Sequence, residues 1–357
     1  MTDLRPDARW PETELEAADV CPICSSASRA LLYEGLEDIV FRCAPGKWRS
    51  WRCLNCGSAY LSPRPSPASI HLAYATYYTH RARPAREAAP RQPYDSLGFA
   101  QRLRRRLANG YLNRRFFLRP DSPATSLGRY LVLAARPYKN AIDRFYRHLP
   151  PPTPQGRLLD VGCGDGSFLE IARLCGWSVE GVDPDPAAVA NCRSRGLEVR
   201  EGSIDLFDGQ SSLFDVITLA HVIEHAHDPI ALARACRRLL KPDGRLWVET
   251  PNIDSLGHAR YGRHWRGLEP PRHLVLFNAQ SLDDALRAAG FARVETMPDM
   301  SPATLVMTSS EALTRGLPAE ADIALSPRFR AMLLADRLRR LLSPSRREFL
   351  TVVARND

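Results

Sequence analysis

The feature that most constrains the fold is a regular alternation between residues 157 and 252. Short apolar runs (RLLDVG, WSVEGVD, LEVREG, FDVITLA and RLWVETPN) are separated by SFLEIARLCG, PAAVANCRSRG and DPIALARACRRLLKPDG. The runs have strand length and a near-continuous apolar character that suits burial on both faces, while the longer segments have helical composition. Strand and helix in alternation predict a mostly parallel α/β sheet covered by helices on both sides. A helix SLDDALRAAG, with Ser281 and Asp284 as its capping pair, a strand around FARVETM and a last strand EFLTVVAR complete the pattern. Residues 301–346 fall between the last two strands as an insertion.

Between the first strand and its helix lies Asp160-Val161-Gly162-Cys163-Gly164-Asp165-Gly166. That places a glycine loop at the carboxyl end of a strand, where open α/β sheets bind ligands. Asp183 ends the second strand 21 residues after Gly162, where a carboxylate can take both hydroxyls of a ribose. NAD and S-adenosylmethionine (SAM) share that ribose, so charge has to separate them. A diphosphate needs a helix N-terminus free of carboxylates, whereas Asp160 and Asp165 sit in and beside this loop. SAM brings an ammonium and a sulfonium, which acidic neighbours favour. The spacing G-x-G-x-G also departs from the dinucleotide pattern.

The N-terminal part reads differently. Cys21-Pro-Ile-Cys24 and Cys53-Leu-Asn-Cys56 form two C-x2-C pairs separated by 28 residues, and nine cysteines make an odd set for disulfides. Each pair can aim two thiolates at one tetrahedral zinc, with Gly57 suited to the turn after the second. We expect a structural Zn2+ held by Cys21, Cys24, Cys53 and Cys56, a strand pair LLYEG and DIVFRC in the gap, and Cys43 as a substitute ligand without a C-x-x-C partner. The predicted organisation is a zinc-ribbon-like module over 1–62, a basic helical connector over 63–150 and the α/β domain over 151–357.

Charge adds a constraint on partners. The formal charge is +9 with a pI near 9.3, and from Arg81 to Arg119 eleven arginines face only Glu87 and Asp95. Such a chain suits an acidic partner: a phosphorylated metabolite, nucleic acid or anionic lipid. QRLRRRLANGYLNRRFF predicts a helix with Leu103, Leu107, Tyr111 and Leu112 on its apolar side and arginines on its wet side. No apolar run reaches the roughly 18 residues that cross a bilayer. The first twenty residues are too polar and acidic for a secretory signal, so a cytoplasmic protein is expected.

From Arg157 onward the chain resembles class I SAM-dependent methyltransferases. The resemblance implies a Rossmann-like seven-stranded sheet in which LLDVGCGDGSFL holds the methionyl part of SAM and the acid of VEGVD holds the ribose. It gives Asp160, Gly162, Gly164, Gly166 and Asp183 as cofactor contacts, with Ser203 and Ile204 beside the adenine. Ser203 stands where the family often has an aspartate. The layout with four cysteines, a SPRPS…Y…YY connector and PNIDSLGHARYGRHWRGLEPPRHLVLF after the fifth strand is similar to a bacterial subgroup associated with saccharide and small-molecule biosynthesis.

Within that resemblance the stretch His221-Val-Ile-Glu224-His225 is not a metalloprotease site, although H-x-x-E-H can ligate zinc on a helix. A metalloprotease needs both histidines on an established helix and a third ligand further on, whereas a strand, FDVITLA, runs straight into this stretch. The resemblance places His221 by the cofactor and turns Glu224 and His225 toward the acceptor. A neutral histidine suits removal of a hydroxyl proton during methyl transfer, so His225 is the first candidate base, with Glu224 orienting or replacing it. The segment from Gly257 to Phe277 should overhang the acceptor and supplies a second candidate base, His273, with Trp265 in the core and Arg272 in a salt bridge as the structural alternatives.

The expected acceptor is a small molecule, most plausibly a hydroxyl of a sugar or lipid-linked saccharide. Carbon methylation of a nucleotide-linked keto sugar and methylation of a ribosomal-RNA base are the alternatives, and a zinc-ribbon docking protein is the non-enzymatic one. AHVI stands where RNA amino-methylating enzymes often carry a base-gripping Asp/Asn-Pro-Pro motif, which argues against nucleic acid. Leu334, Leu338, Leu341 and Leu342 share a helical face with arginines nearby, which fits a homodimer contact, a cap or peripheral membrane contact.

Overall fold

The structure is a computed structural model and describes residues 10–74, 94–116, 123–298 and 303–356. Among these the strands are β1 (Leu15–Glu16), β2 (Arg29–Leu36), β3 (Trp48–Cys53), β4 (Ala59–Leu61), β5 (Arg64–Pro65), β6 (Arg157–Val161), β7 (Ser178–Asp183), β8 (Val199–Glu201), β9 (Phe214–Ala220), β10 (Leu240–Pro251), β11 (Val275–Leu276), β12 (Arg293–Thr296) and β13 (Phe349–Arg355). The helices are α1 (Phe99–Phe116), α2 (Gly128–Ala134), α3 (Arg136–Phe145), α4 (Ser167–Leu174), α5 (Pro186–Ser194), α6 (Pro229–Leu239), α7 (Leu256–Tyr261), α8 (Ala279–Ala288), α9 (Ala303–Thr314) and α10 (Pro327–Leu342).

The main sheet has seven strands in the order β12-β13-β10-β9-β6-β7-β8. The chain enters at β6, moves outward through the parallel neighbours β7 and β8, then returns to the other side of β6 with β9. That reversal makes the carboxyl end of β6 a topological switch point. The last pair, β12 and β13, is antiparallel, so the sheet is mostly parallel with one reversed strand, the expected class I methyltransferase architecture. Burial follows the sequence pattern: Phe214, Val216, Ile217 and Leu219 of β9 are all inaccessible to solvent.

The chain forms two compact units, one drawn from residues up to 80, 219–237 and 248 onward, the other from 81–218 and 238–247. In the second, Tyr111, Leu112 and Phe116 of α1 share a core with Leu158, Leu169, Trp177, Val189 and Val216. Its apolar edge therefore packs where the helical pattern placed it, apart from Leu103, which is exposed.

In the first unit β2, β3 and β4 form an antiparallel meander. Its fourth strand is β11, which pairs with β4 through Val275–Tyr60 and Leu276–Ala59. The expected strand DIVFRC does not form. Asp38 there accepts backbone hydrogen bonds from Phe41, Cys43 and Ala44, which curls the segment into a loop, and the partner of β2 is β3 instead. A second correction concerns α8: its cap is Asn278, in a reciprocal box with Ser281, and Ser281 lies inside the helix.

Much of the segment after β10 is buried. Trp265 is buried and donates to Glu348 Oε2 at 3.1 Å. Arg272 is fully buried and forms a bidentate pair with Asp38 at 2.6 and 3.0 Å. Both residues thus follow the structural alternatives named for them. The insertion between β12 and β13 contains α9 and α10. Val306 and Met307 of α9 join a core with Trp10, Trp48, Leu61, Tyr261 and Trp265. On α10, Leu334, Leu338 and Leu342 are exposed, and the side chains of Arg337 and Leu341 lie outside the described residues. No helix among the described residues is long and apolar enough to cross a membrane.

Candidate active site

The glycine loop leaves β6 and enters α4 with Gly162, Gly164 and Gly166 all at positive φ. Two of them show why side chains are excluded. A Cβ at Gly166 would lie 2.7 Å from both Cys192 Sγ and Leu197 Cδ1, so the loop closes against α5. A Cβ at Gly164 meets nothing within 4 Å, so that side of the loop opens onto free space. Asp165 is exposed and accepts from the Ser167 amide, ending the loop on the first turn of α4.

Asp183, buried at the end of β7, holds the loop. Its Oδ2 accepts from the Gly164 amide at 2.7 Å and its Oδ1 from the Asp185 amide at 2.9 Å. Burial raises its pKa, the two amides oppose this, and the charges of Asp185 and Asp160 add to the rise. A carboxylate has about four acceptor sites, so each oxygen keeps capacity for a ribose hydroxyl. The Gly202 amide donates to the Asp183 carbonyl at 3.0 Å, which sets Ser203 and Ile204 one and two residues beyond it. Ile204 is buried, while Ser203 is exposed and bonds through Oγ to Asp205.

Asp160 is fully buried. Its Oδ1 accepts from Arg147 Nη1 and from Thr218 Oγ1, each at 2.6 Å, and its Oδ2 has no protein partner. Burial pushes its pKa up, with the Arg147 charge as the main counterweight. The loop is therefore less acidic than its letters suggest, because Arg147, stacked 3.7 Å over the Phe168 ring, neutralises part of it. A buried orphan acceptor, an open loop face and a carboxylate with spare capacity together fit a ribonucleoside carrying positive charge.

The HVIEH stretch forms a tight turn after β9, with a 3-10 helix at Ile223–His225. His221 adopts φ 56° and donates its amide to the Glu249 carbonyl at 2.8 Å. Its imidazole lies 3.3 Å from Glu224 Oε1 and 3.7 Å from Glu249 Oε1. Its side chain is 42% exposed, and Glu224 and then Glu249 outweigh the desolvation that disfavours its charged form, so the pKa moves up. Glu224 is fully buried and accepts from Thr250 Oγ1 at 2.9 Å. Burial opposes its ionisation, yet the hydrogen bond to His221 and the nearby His225 hold it down at about 2.

His225 has the opposite shift. Its Nδ1 lies 2.9 Å from the Arg272 carbonyl and 3.0 Å from the Tyr74 hydroxyl. A carbonyl only accepts, so Nδ1 carries the proton and Nε2 keeps its lone pair. Burial and the adjacent His273 pull its pKa down to about 4 despite Glu224, so the ring is neutral at physiological pH. His273 is arranged in the same way: Nδ1 is 2.8 Å from the Gly267 carbonyl, and Nε2 is 3.7 Å from Glu269 Oε2. The two rings meet edge to face at 4.8 Å. Glu224, His225 and His273 each bring a donor atom within 4.8 Å of the others. The structure thus groups three of the sequence candidates and sets His221 outside the trio, paired to Glu224.

Tyr74, partly buried and with its pKa raised by desolvation, Asp38, Glu269 and Arg147 were not singled out by the sequence. Tyr74 belongs to the quoted SPRPS…Y…YY motif, which was its only signal. For Arg147, at φ 46° just past α3, no spacing rule exists.

The four expected cysteines also converge. Cys21 Sγ is 3.5 Å from Cys56 Sγ and Cys24 Sγ is 3.5 Å from Cys53 Sγ, with all four sulfurs within 4.8 Å of one another. Tetrahedral zinc at about 2.3 Å from sulfur separates its thiolates by about 3.8 Å, so the cluster fits that ion. Ser58 Oγ lies 3.3 Å from Cys21 Sγ and 3.1 Å from Cys56 Sγ, and the Ile23 amide donates to Cys21 Sγ. Cys43 is not part of the cluster; its thiol faces Asp38 and the Ala73 carbonyl. The cluster is tied to the histidines through backbone: Asn278 Nδ2 donates to the Cys56 carbonyl, Leu61 to Leu274, and Leu274 to Glu224.

The sheet order is that of the class I methyltransferase fold, and residues 132–296 match the family model described as a methyltransferase domain. Ubiquinone biosynthesis O-methyltransferase of Xanthomonas oryzae pv. oryzae (strain PXO99A) is 42% identical over 103 residues, covering 27% of this chain and 43% of that protein. Its namesake from Xylella fastidiosa (strain 9a5c) is 40% identical over 108 residues, covering 28% and 44%. The chain therefore spans less than half the length of these relatives. A solved SAM-dependent methyltransferase from Archaeoglobus fulgidus is 20% identical, covers 61% of this chain and 93% of its own, and has a TM-score of 0.42.

Proposed function

We propose that the protein transfers a methyl group from SAM to a hydroxyl of a small molecule, with a sugar or lipid-linked saccharide as the preferred acceptor. The observation that carries the reading is His225: a half-buried, neutral imidazole whose Nδ1–H is pinned by a carbonyl, leaving Nε2 as the basic atom next to an ionised Glu224. The name O-methyltransferase carried by the relatives is in keeping with it.

Bound SAM supplies a methyl group already activated by the sulfonium, so the protein has only to align, exclude water and take up one proton. Asp183 holds the ribose hydroxyls, and Asp160 Oδ2 accepts from the ammonium. His225 Nε2 would take the acceptor's hydroxyl proton as the oxygen bonds to the methyl carbon and the carbon–sulfur bond breaks, the electron pair staying on the sulfur of the departing thioether. Glu224 stabilises the imidazolium so formed. Cys21, Cys24, Cys53 and Cys56 hold a structural zinc that fixes β4 and, through β11, the segment bearing His273.

Incubating the zinc-loaded protein with extract metabolites and deuterated-methyl SAM, followed by mass spectrometry, identifies the acceptor. His225→Gln is expected to lower turnover about 10²–10⁴-fold while SAM affinity stays unchanged. In the parent, kcat/KM should be flat near neutrality and fall as the pH drops through about 4, where His225 becomes protonated. Unchanged turnover in the variant removes His225 from the mechanism. The Tyr74 hydroxyl beside His225 favours one second reading, carbon methylation of a keto sugar, in which the base removes a C–H proton. Exchange of that proton with deuterated water in the absence of SAM distinguishes it.

A further inference from the structure

We propose that the face built by α1, α2 and α3 docks on an anionic lipid bilayer. The α1–α2 crossing is made backbone to backbone. A Cβ at Gly110 would fall 1.9 Å from the Thr125 carbonyl oxygen, and one at Gly128 would fall 2.2 Å from that of Leu107. This contact buries Gly128 and Val132 of α2 and turns the rest of the short helix outward. Leu127, Tyr130, Leu131 and Leu133 are consequently 54, 56, 45 and 51% exposed, and Phe145 at the end of α3 is 56% exposed. Four large apolar side chains within seven residues, with no core to enter, form a patch of the kind that marks an interaction site.

Charge names the partner. Among the described residues between 94 and 146, nine arginines and Lys139 face two acids, Asp95 and Asp143. Asp143 is buried and already bonded to Arg115, Lys139 and Tyr111, which leaves Asp95 as the exposed acid of the described span. Apolar tips among arginines match the boundary between headgroups and acyl chains, where leucine and tyrosine enter hydrocarbon and guanidinium groups pair with phosphates. A nucleic-acid groove would use the cations but would leave the leucines of α2 in water. None of its residues belongs to the cysteine cluster or the His225 cluster, so the inference stands apart from the proposed acceptor.

The test is co-sedimentation of the full zinc-loaded chain with vesicles of phosphatidylcholine alone or mixed with phosphatidylglycerol. Binding is expected to the mixed vesicles, to fall steeply at about 0.5 M salt, and to drop about tenfold or more for Leu131→Glu/Leu133→Glu. Undiminished SAM affinity in that variant shows that it is folded. Should it not fold, Leu131→Trp serves instead, with quenching of the added indole by brominated lipid expected and its absence contradicting insertion. No sedimentation with the anionic vesicles, binding unaffected by the double substitution, or retention of RNA in place of vesicles at high salt each overturns the proposal.

Discussion

Asp160 and Glu224 are both carboxylates without exposed surface, yet their pKa values move in opposite directions. Asp160 has one guanidinium and a hydroxyl on one oxygen and nothing on the other, so burial prevails and the charged form is disfavoured. Glu224 has His221, His225 and His273 around it, and they overcome the same burial. Burial sets the scale of such a shift, and the surrounding charges set its sign. Each keeps one oxygen without a hydrogen-bond partner, but the Oε1 of Glu224 faces the His221 imidazole at 3.3 Å, whereas the Oδ2 of Asp160 faces no cation among the described residues.

The largest effect expected on this contrast comes from the four-cysteine cluster proposed to hold zinc, which belongs to the same compact unit as Glu224. Cys53→Ser should lose the metal, measured by elemental analysis, and with it the cooperative thermal transition of the first unit, while the helical signal of the second unit persists. A single unchanged transition would show that the cluster is not structural.

Next in size are the carboxylates themselves. Glu224 drops from 4.5 to about 2 on folding, which corresponds to roughly 3 kcal/mol of stability. That contribution is present above the unfolded value and is lost as the pH falls from about 4.5 through about 2. Asp160, raised on folding, has the reverse sign: its ionised form costs stability as the pH rises through its folded value. Glu224→Gln should therefore lower Tm at pH 7 by several degrees, whereas Asp160→Asn should leave it level or raise it while weakening SAM binding. Equal losses of Tm in the two variants would break the comparison.

The smallest effect is expected at Ser203. Its hydroxyl bonds to Asp205 and it is exposed, so Ser203→Ala should change SAM affinity less than about threefold, the scale of a surface substitution. A larger loss, read by calorimetry, would restore a direct contact with the adenine.

The two sites also differ in how legible they are in the sequence. Asp160, Gly162, Gly164, Gly166 and Asp183 lie within 24 residues along one strand–loop–helix–strand unit, so their geometry is local and their order fixes it. The same holds for the two C-x-x-C pairs, whose knuckles are short turns. The histidine cluster is assembled instead from Tyr74, Glu224, His225 and His273, and no periodicity joins segments so far apart in the chain. His225 and His273 could be proposed singly, but which ring nitrogen carries the proton is set by carbonyls from Arg272 and Gly267. DIVFRC misled because its β-branched and aromatic run Ile39-Val40-Phe41 resembles a strand, whereas the Asp38 carboxylate captures three amides and Arg272. Likewise Ser281 fits a cap by letter, but Asn278 three residues earlier takes the position.

The central claim is that the loop above β6 and β7 is electrostatically built for a nucleoside bearing positive charge. Isothermal titration of the zinc-loaded protein with SAM, its demethylated product and NAD tests it most directly. Binding of SAM and of the product, abolished in Asp183→Ala, with no heat from NAD, is the result expected. Heat from NAD alone would contradict the account.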